Sequence, residues 1–521
     1  MNRSTRVVIF AGEQIMIEID GSHLQLEDFR SIVDGGEACA LSDAARERVQ
    51  AAREVIKEVT SHGDSTAAVY GVNTGFGDLS KVRIAADQTR LLQERLVRSH
   101  AAGVGEPLPD RVVRGMLLLR ANTLAQGHSG VRPGLIDLLL EMLSRDVLPV
   151  VPSRGSVGAS GDLAPLAHLA LPVIGRGKAR FEGEEVAGDE AMRRADLEPL
   201  ILEPKEGLSL INGTQAMTSL LVIAAIESRR IFRIADAVGA LSTDALLGCD
   251  TPFDSRLHEL RPHPGQKASA ANLWRLMQGS ELRDSHRHGD SRVQDPYSIR
   301  CMPQVHGAAR DVLTDVEGRL AIEMNAVTDN PVVFVEEGEI LAGGNFHGEP
   351  MAMAADFLAI AVAEIGSISE RRIDKLTDPV FSGLPAFLTE NPGLNSGFML
   401  AQVTAAALVS ENKGLAHPAS VDSIPTSAEK EDHVSMGMWA ALKLQQVIAN
   451  VYSVLAIEFL AAAQGVDLRR PLRSSAALER LHAAIRERVE KWGDDRELAP
   501  DVEQAENFLK SAIDPHIDDF L

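Results

Sequence analysis

The sequence predicts a mainly α-helical protein, an elongated helical bundle with a few short hairpins in its N-terminal part. The 521 residues are 45% hydrophobic, which is ample for a large core. Two Ala-rich segments, 351–368 and 447–463, are apolar on nearly every face, and helices of that kind are buried on all sides. No low-complexity linker or fixed-period repeat occurs. We expect an N-terminal domain (1–210), which carries the loops and Ser160, and a long-helix domain (211–521).

The individual elements follow from hydrophobic spacing and turn residues. Alternation around Gly12 predicts a hairpin within the first twenty residues. Ser42 is a suitable helix cap, and helical spacing of apolar residues predicts helices over 42–59, 92–100, 112–126 and 135–144. Two more hairpins are expected at 178–186 and 332–341, the second turning at Glu337-Gly338.

Charge and cysteine usage exclude several classes of function. The chain carries 52 basic and 74 acidic side chains, a net charge of −22, which argues against a nucleic acid or an anionic membrane as partner. The segment 351–368 is interrupted by Asp356 and Glu364, so we expect no membrane span. Cys39, Cys249 and Cys301 are far apart and odd in number, as expected for reduced thiols of a cytoplasmic protein.

One short segment offers unusual chemistry. Gly155, Gly158 and Gly161 leave the backbone around Ser160 unhindered. The Gly161 nitrogen could attack the Ala159 carbonyl and Ser160 could then lose water, which would produce 4-methylidene-imidazole-5-one, an electrophile made from the chain itself. The tripeptide alone favours an ordinary loop and helix cap. The longer run 156–168 is much rarer and favours the electrophile.

Two more motifs contain residues suited to a site. In the segment 70–77, three glycines follow Tyr70. Their spacing is not that of a nucleotide-binding loop, and the segment could act as a mobile lid. In 294–301, Arg300 could hold a carboxylate through two parallel hydrogen bonds. Gln294 adds a neutral donor there, and Tyr297 could reach an amino group or the cofactor. A surface salt bridge is the alternative for Arg300.

The remaining candidates have ordinary alternatives. His100 ends a helix, where capping is common, and Asn212 could simply cap the helix that follows it. The acidic run 426–436, which includes Glu431, could be a solvated loop. His286-Arg-His288 has no further ligands to complete a metal site, so we expect no metal cofactor.

Taken together, these motifs resemble the ammonia-lyases and aminomutases of aromatic amino acids over most of the chain, and are most similar to the members that act on histidine. The resemblance implies the ammonia-lyase type of helical bundle, with the cofactor 4-methylidene-imidazole-5-one formed from Ala159, Ser160 and Gly161 and no external cofactor. It also implies that Tyr70 removes the β-proton of an amino acid substrate, and that Asn212 and Phe346 contact the cofactor.

For the substrate, the resemblance implies elimination of ammonia from L-histidine to give trans-urocanate. The residues implied in catalysis are Tyr70, Ser160 and Tyr297, and those implied in substrate binding are His100, Asn212, Gln294, Arg300 and Glu431. The resemblance further implies a homotetramer in which each active site is built from several subunits. Tyrosine or phenylalanine as substrate, a 2,3-aminomutase and a catalytically silent scaffold are the alternatives. One departure stands out, because Glu429-Lys430 replaces the family's usual Asn-Gln before Glu431.

Overall fold

The structure, a computed structural model, describes residues 6–8, 15–61, 68–290 and 292–518. Its helices, in chain order, are α1 (Leu26–Val33), α2 (Asp43–Ser61), α3 (Thr89–His100), α4 (Asp110–Ala125), α5 (Pro133–Ser144), α6 (Leu163–Ala170), α7 (Gly188–Arg194), α8 (Glu206–Ile211), α9 (Gln215–Ala245), α10 (Ser255–Glu259), α11 (Pro264–Met277), α12 (Glu281–Asp284), α13 (Tyr297–Arg300), α14 (Met302–Glu323), α15 (Glu349–Thr377), α16 (Pro379–Ser382), α17 (Met399–Leu415), α18 (Gly437–Leu468), α19 (Ala476–Arg486), α20 (Ala499–Ser511) and α21 (Asp514–Ile517). The expected mainly α-helical class is confirmed.

The strands are short and few. They are β1 (Arg6–Val8), β2 (Ile15–Ile19), β3 (Ala38–Leu41), β4 (Val104–Pro107), β5 (Leu148–Pro149), β6 (Pro152–Arg154), β7 (Lys178–Phe181), β8 (Glu184–Ala187), β9 (Val332–Phe334) and β10 (Glu339–Leu341). They form sheets in the orders β1-β2-β3, β5-β7-β8, β4-β6 and β9-β10. All pairs are antiparallel except β2 with β3, which is parallel.

The chain forms two compact units, and neither is a single stretch of sequence. As far as they are described, the first comprises 1–223, 317–355 and 419–442, and the second 224–316, 356–418 and 443–521. Four of the five boundaries fall within α9, α14, α15 and α18, and the fifth, between 418 and 419, lies after α17. The expected domains 1–210 and 211–521 stay a prediction, and the compact units differ from them because two later segments belong with the N-terminal part.

In the first unit, the predicted hairpins are formed by β7 with β8 and by β9 with β10. β1 pairs with β2 as expected for the first hairpin, whose turn lies outside the described residues. The Ser42 hydroxyl accepts a hydrogen bond from Ala45 N at 3.2 Å and so caps α2. Val333 of β9 packs with Ala52 and Ile56 of α2 and with Val72 in one buried cluster. This cluster anchors the segment that carries Tyr70.

The described part of the second unit is helical and is crossed by a buried ion pair. Arg372 of α15 donates from Nε and Nη2 to the two carboxylate oxygens of Glu458 in α18, at 2.5 and 2.8 Å, and both side chains are fully buried. The hydroxyl groups of Ser242 and Ser369 donate to the same carboxylate. Arg372 Nη1 also donates to the Ser298 carbonyl at 3.3 Å. The ion pair therefore fixes α13, which carries Tyr297 and Arg300.

The two apolar segments of the sequence lie in α15 and α18. By length and composition alone both helices could cross a membrane, yet most of each apolar stretch is buried inside the protein. α15 is not buried on all sides by its own chain, because Met353, Phe357 and Ile360 remain 39%, 39% and 43% exposed. Composition cannot distinguish a face covered by its own chain from one covered by another copy, so burial of α15 on all sides stays a prediction.

Candidate active site

The segment that carries Ser160 is a loop between β6 and α6. Gly158 and Gly161 have φ angles of +68° and +74°, the left-handed region that glycine adopts at little cost. Gly161 bridges to Gly213 in parallel orientation, and a Cβ on Gly161 would lie 2.2 Å from the Gly213 carbonyl oxygen. Any side chain at position 161 would therefore push the loop away from Gly213.

Asp162 ends this loop and is fully buried. Its Oδ2 accepts hydrogen bonds from Ala216 N and Met217 N in the first turn of α9, at 3.1 and 2.9 Å. Its Oδ1 accepts from the Ser156 hydroxyl at 2.8 Å. Burial raises the pKa of the Asp162 carboxyl to about 6, against the lowering effect of the Met217, Ser156 and Ala216 donors. One carboxylate thus joins the loop to the start of a long helix.

A cavity of about 670 Å³ opens beside the loop. Its lining brings together five of the residues predicted from the sequence, namely Tyr70, His100, Ser160, Asn212 and Glu431. Each comes from a different segment of the first unit, and each is held in place by its own set of contacts.

Glu431 is the residue in direct contact with Ser160. Its Oε1 accepts a hydrogen bond from the Ser160 hydroxyl at 2.6 Å, and its Oε2 accepts from the Thr426 hydroxyl at 2.6 Å. The backbones of Thr426 and Glu431 also pair, through Thr426 N to Glu431 O at 2.9 Å and Glu431 N to Thr426 O at 3.3 Å. The carboxylate is therefore fixed at both oxygens and at its own backbone.

The turn before Glu431 is built from left-handed residues without glycine. Ser427, Ala428 and Glu429 have φ angles of +53°, +52° and +63°. The backbone N–H of Lys430 donates to the Ser427 carbonyl at 3.2 Å. Asparagine tolerates this region better than glutamate does, so the Glu429 departure adds strain, and the Thr426–Glu431 pairing holds the turn in place.

His100 ends α3 with its ring half-buried. Its Nδ1 lies 2.9 Å from the Leu96 carbonyl oxygen, which can only accept, so this nitrogen carries a proton and Nε2 is the acceptor in the neutral ring. Burial lowers the pKa of His100, while the Leu96 carbonyl and the negative charge of Glu431 act in the opposite direction. A neutral imidazole in the Nδ1–H form follows at neutral pH.

Tyr70 lies in a loop anchored from within. Asn73 Oδ1 accepts a hydrogen bond from Val69 N at 2.7 Å, and Val72 is buried in the cluster with α2. The Tyr70 hydroxyl accepts from Gly77 N at 3.3 Å, and the ring meets Phe76 edge-on with centroids 6.3 Å apart. The loop is thereby folded back on itself with Tyr70 at the cavity.

Asn212 lies between α8 and α9. Its carbonyl oxygen accepts from Arg120 Nη1 at 2.8 Å, and the same nitrogen donates to Gln215 Oε1 at 2.9 Å. Its side-chain Oδ1 is buried and has no hydrogen-bond partner among the described residues. Burial lowers the pKa of Arg120 to about 10, opposed by the charge of Asp329. A buried acceptor without a partner at a cavity is suited to a ligand.

Gln294, Tyr297 and Arg300 lie in the second unit and line a different cavity of about 690 Å³. The Arg300 guanidinium lies 4.6 Å from the centre of the Tyr297 ring, and its Nε donates to the Asp295 carbonyl at 2.9 Å. Tyr297 is 69% exposed. Gln294, Tyr297 and Arg300 therefore lie together, but they do not line the cavity beside Ser160 in this chain. Their role in binding the substrate stays a prediction.

Phe346 is half-buried in the segment between β10 and α15. It is not among the residues that line the cavity beside Ser160. Its neighbour Gly348 donates from its backbone N–H to the Gly158 carbonyl at 3.1 Å, which places the segment against the loop. The predicted contact of Phe346 with the cofactor also stays a prediction. Within the described residues, no group of three or more His, Cys, Asp or Glu side chains could hold a metal ion.

Sequence reasoning gave no role to three residues that shape the site. Asp162 precedes α6 and reads as a cap for that helix, but its carboxylate makes no cap there and instead binds the start of α9. Arg120 lies in a helix that is buried nearly throughout, where its charge was the only signal. Ser435 donates to the Gly158 carbonyl at 2.9 Å, and nothing in its local sequence indicates that contact.

With the geometry established, the comparisons with known proteins assign the chain to a class. The sequence profile described as aromatic amino acid lyase matches residues 24–487. This is well over half of the chain. The protein belongs to the aromatic amino acid lyase family.

Individual members of the family are similar to this chain over nearly its full length. The chain is 54% identical over 499 residues to a histidine ammonia-lyase of Anaeromyxobacter sp. (strain K), covering 94% of this chain and 98% of that one. The crystal structure of histidine ammonia-lyase from Trypanosoma cruzi is similar with a TM-score of 0.89 and 42% identity, over 97% and 96% of the two chains. Tyrosine aminomutase from Streptomyces globisporus is similar with a TM-score of 0.91 and 36% identity, over 96% and 98%.

The raised pKa of Asp162 predicts a definite pH dependence of stability. Because the pKa rises from 3.8 to about 6 on folding, the folded protein binds this proton more tightly. The carboxyl therefore adds stability as pH falls through 6 toward 4, and above pH 6 its ionisation costs on the order of 3 kcal/mol. We expect Asp162→Asn to gain stability relative to the wild type as pH rises from 4 to 7, measured as urea unfolding midpoints across that range.

Asp495→Asn is the matched control. The backbone amides of Ser396 and Gly397 lower the pKa of Asp495, so this carboxylate stabilises the folded state above its unfolded pKa and loses that effect as pH falls. The difference between this variant and the wild type should be constant or change with the opposite sign. Parallel stability curves for wild type and Asp162→Asn would contradict the assignment.

Proposed function

We propose that the protein is an ammonia-lyase that converts L-histidine to trans-urocanate and ammonia. The observation that carries the proposal is the cavity in which the Ser160 hydroxyl contacts Glu431 at 2.6 Å, beside His100 and Tyr70. A carboxylate suits an imidazole substrate, whose ring N–H can donate to it, and the neutral His100 ring offers a second acceptor at the same cavity. The relatives named histidine ammonia-lyase, at 54% and 42% identity, support the same substrate.

The proposal includes a cofactor made from the chain, 4-methylidene-imidazole-5-one from Ala159, Ser160 and Gly161, with no external cofactor and no metal. The residues present fit such a group. Gly161 has a left-handed backbone and no room for a side chain, and Ser160 lines the cavity while Ala159 is only 5% exposed. The group supplies an electrophilic methylidene carbon that makes the substrate amine a better leaving group. Asn212, with its unpartnered Oδ1, and Phe346 are assigned to contact it.

The chain's own side chains then bind, orient and deprotonate. Glu431 accepts an N–H of the substrate imidazole, and His100 presents Nε2 as an acceptor because its Nδ1 proton is committed to Leu96. Tyr70, which lines the cavity, removes the β-proton. Positioning these groups on separate rigid supports lowers the entropic part of the barrier.

The substrate carboxylate is assigned to Gln294 and Arg300, with Tyr297 as a further catalytic residue. Among the described residues, Arg300 donates a hydrogen bond from Nε and stacks its guanidinium on the Tyr297 ring, which leaves its Nη atoms available. We assign these residues to the site of another copy of the chain in a homotetramer. Apolar side chains left exposed in the second unit support such an assembly, since they would otherwise face water; they are Phe357, Ile360, Leu400 and Val403.

Two kinds of alternative function exist. Some use the same electrophile on another substrate or in another reaction, and one has no catalytic activity. Tyrosine or phenylalanine could be the substrate, or ammonia could be added back as in a 2,3-aminomutase, and a tyrosine aminomutase is among the similar structures. Glu431 and the Ser99-His100 pair favour histidine. A catalytically silent homologue is disfavoured by the presence of Tyr70 and Arg300. We place the enzyme in the cytoplasm, on the strength of its free cysteines.

The first test mixes the purified protein separately with L-histidine, L-tyrosine and L-phenylalanine and follows the ultraviolet absorbance. We expect urocanate absorbance to grow with histidine alone. Ser160→Ala should lower turnover by more than roughly a thousandfold, because alanine has no hydroxyl to eliminate. Ser153→Ala, in the preceding strand, should stay close to wild type.

Other results of this test would contradict or change the proposal. Near-normal turnover in Ser160→Ala would rule out the scheme. Cinnamate or coumarate from the wild type would keep the electrophile and replace the substrate. A flat trace with all three amino acids would favour the silent homologue.

The second test concerns the substrate ring. Glu431→Gln keeps the size of the side chain but removes its charge, so we expect kcat/KM for histidine to fall about 10- to 100-fold, as for a lost hydrogen bond to a charged group. Glu429→Gln, an exposed acid two residues earlier, is the control and should change little. Full histidine turnover in Glu431→Gln would return the tyrosine and phenylalanine alternatives.

The third test asks whether one site takes residues from two chains. Ser160→Ala and Arg300→Ala should each be inactive alone. Coexpressed, they should regain activity, because roughly a quarter of the sites in a randomly mixed assembly would receive both native residues from different copies. Coexpression of two differently tagged Ser160→Ala chains controls for artefacts, and a mixture as inactive as its parents would place both residues of a site in one chain.

A further inference from the structure

The carbonyl of Gly158, just before Ala159, is held from two sides. Ser435 Oγ donates to it at 2.9 Å and Gly348 N donates to it at 3.1 Å. Next to it, the Val157 carbonyl accepts from Met436 N at 2.8 Å. Two segments far away in sequence therefore fix the peptide that leads into Ala159.

The Ser435 hydroxyl has a defined direction. It is fully buried, and its oxygen accepts from Gly437 N at 3.2 Å, so its own proton is directed to Gly158. The fit is close, since a Cβ on Gly158 would lie 2.2 Å from Ser435 Oγ. Ser435 does not line the cavity, and no step of the proposed elimination uses it.

The other end of the loop is fixed independently. Asp162 N donates to the Gly213 carbonyl at 2.7 Å, and Gly161 bridges to Gly213. The Ser156 hydroxyl donates to Asp162 Oδ1 at 2.8 Å and accepts from Gly158 N at 3.1 Å, which closes the loop across its base. Ala159 and Ser160 thus lie between two fixed points, with the Ala159 carbonyl and the Gly161 nitrogen confined to a short span.

We propose that Ser435 is a positioning residue for ring formation in this loop, holding the Gly158 peptide so that the Ala159 carbonyl meets the Gly161 nitrogen. This rests on the proposed function. In the step, the Gly161 nitrogen forms a bond to the Ala159 carbonyl carbon. The carbonyl oxygen leaves as water with the amide hydrogens of Gly161 and Ser160, and a C=N bond to the Ser160 nitrogen remains. Ser160 loses its α-hydrogen and its hydroxyl as a second water, with no oxidant or reductant required. Confinement of both reacting atoms is the contribution of Ser435.

The matched control lies on the same segment. Ser423 Oγ accepts from Val434 N at 3.0 Å, so Ser423→Ala loosens the chain next to Ser435 without removing a contact to the loop. Ser435→Ala removes the donor to Gly158 and leaves the Gly348 contact. Ser435→Cys keeps the side chain's shape with a weak donor, and serves if the alanine variant fails to fold.

The test measures ring formation directly. Full-length protein is isolated at intervals after a pulse of synthesis and digested with trypsin, and the peptide 155–176, bounded by Arg154 and ending at Arg176, is weighed by mass spectrometry. In the wild type it should become lighter by two water molecules. We expect the rate of that loss to fall about tenfold in Ser435→Ala and Ser435→Cys and to stay at the wild-type rate in Ser423→Ala. Thermal unfolding of each variant is measured in parallel.

The outcomes separate the two proposals. Loss of both waters in Ser435→Ala at the wild-type rate overturns the role of Ser435 and leaves the proposed function standing. Equal slowing in Ser435→Ala and Ser423→Ala also overturns it, because general packing would then be the cause. A wild-type peptide that never loses water overturns the cofactor, and the role of Ser435 with it.

Discussion

The buried carboxylate of Asp162 is the interaction on which the site depends. It is the point where a loop of left-handed glycines ends and where the amides at the start of α9 find an acceptor. Burying a charge is unfavourable unless donors surround it, and here two backbone amides and the Ser156 hydroxyl do so. The carboxylate acts beside the backbone hydrogen bond from Asp162 N to the Gly213 carbonyl, and together they hold this end of the loop against the start of α9.

Around this junction the cavity is formed by segments that are each stabilised by contacts of their own. Val72 anchors the Tyr70 loop in a core cluster, α3 ends at His100, and Thr426 pairs with Glu431. Because these supports are separate, Tyr70 and His100 do not rely on each other for their positions, whereas one oxygen of Glu431 is held by the Ser160 hydroxyl. This is the arrangement expected of a site whose geometry exists before a ligand enters.

Much of the fold could be predicted from the sequence because its signals are local. The helix after Ser42 and the hairpins at 178–186 and 332–341 follow from apolar spacing and turn residues. The meeting of Tyr70, Ser160 and Glu431 at one cavity came from the resemblance, since no spacing rule relates residues 271 positions apart.

What escaped prediction has a physical reason. Asp162 binds amides 54 and 55 positions later, and Ser435 reaches back 277 positions to Gly158. A hydrogen bond to a backbone group leaves no mark on the partner's side chain, so neither contact has a sequence signature. The exposed face of α15 could not be located for a related reason, because apolar composition is the same whether the helix's own chain or another copy covers it.

The left-handed turn of Ser427, Ala428 and Glu429 has a consequence for how this chain could change. Each such residue costs on the order of 1 kcal/mol relative to glycine or an ordinary conformation. Glycine in their place would relieve the strain and raise heat tolerance, but it would also free the backbone that aims Glu431. Resistance to heat and a firmly held Glu431 carboxylate are therefore opposed at these three positions. A chain that needs the carboxylate fixed keeps side chains there, although glycine would make the turn less strained.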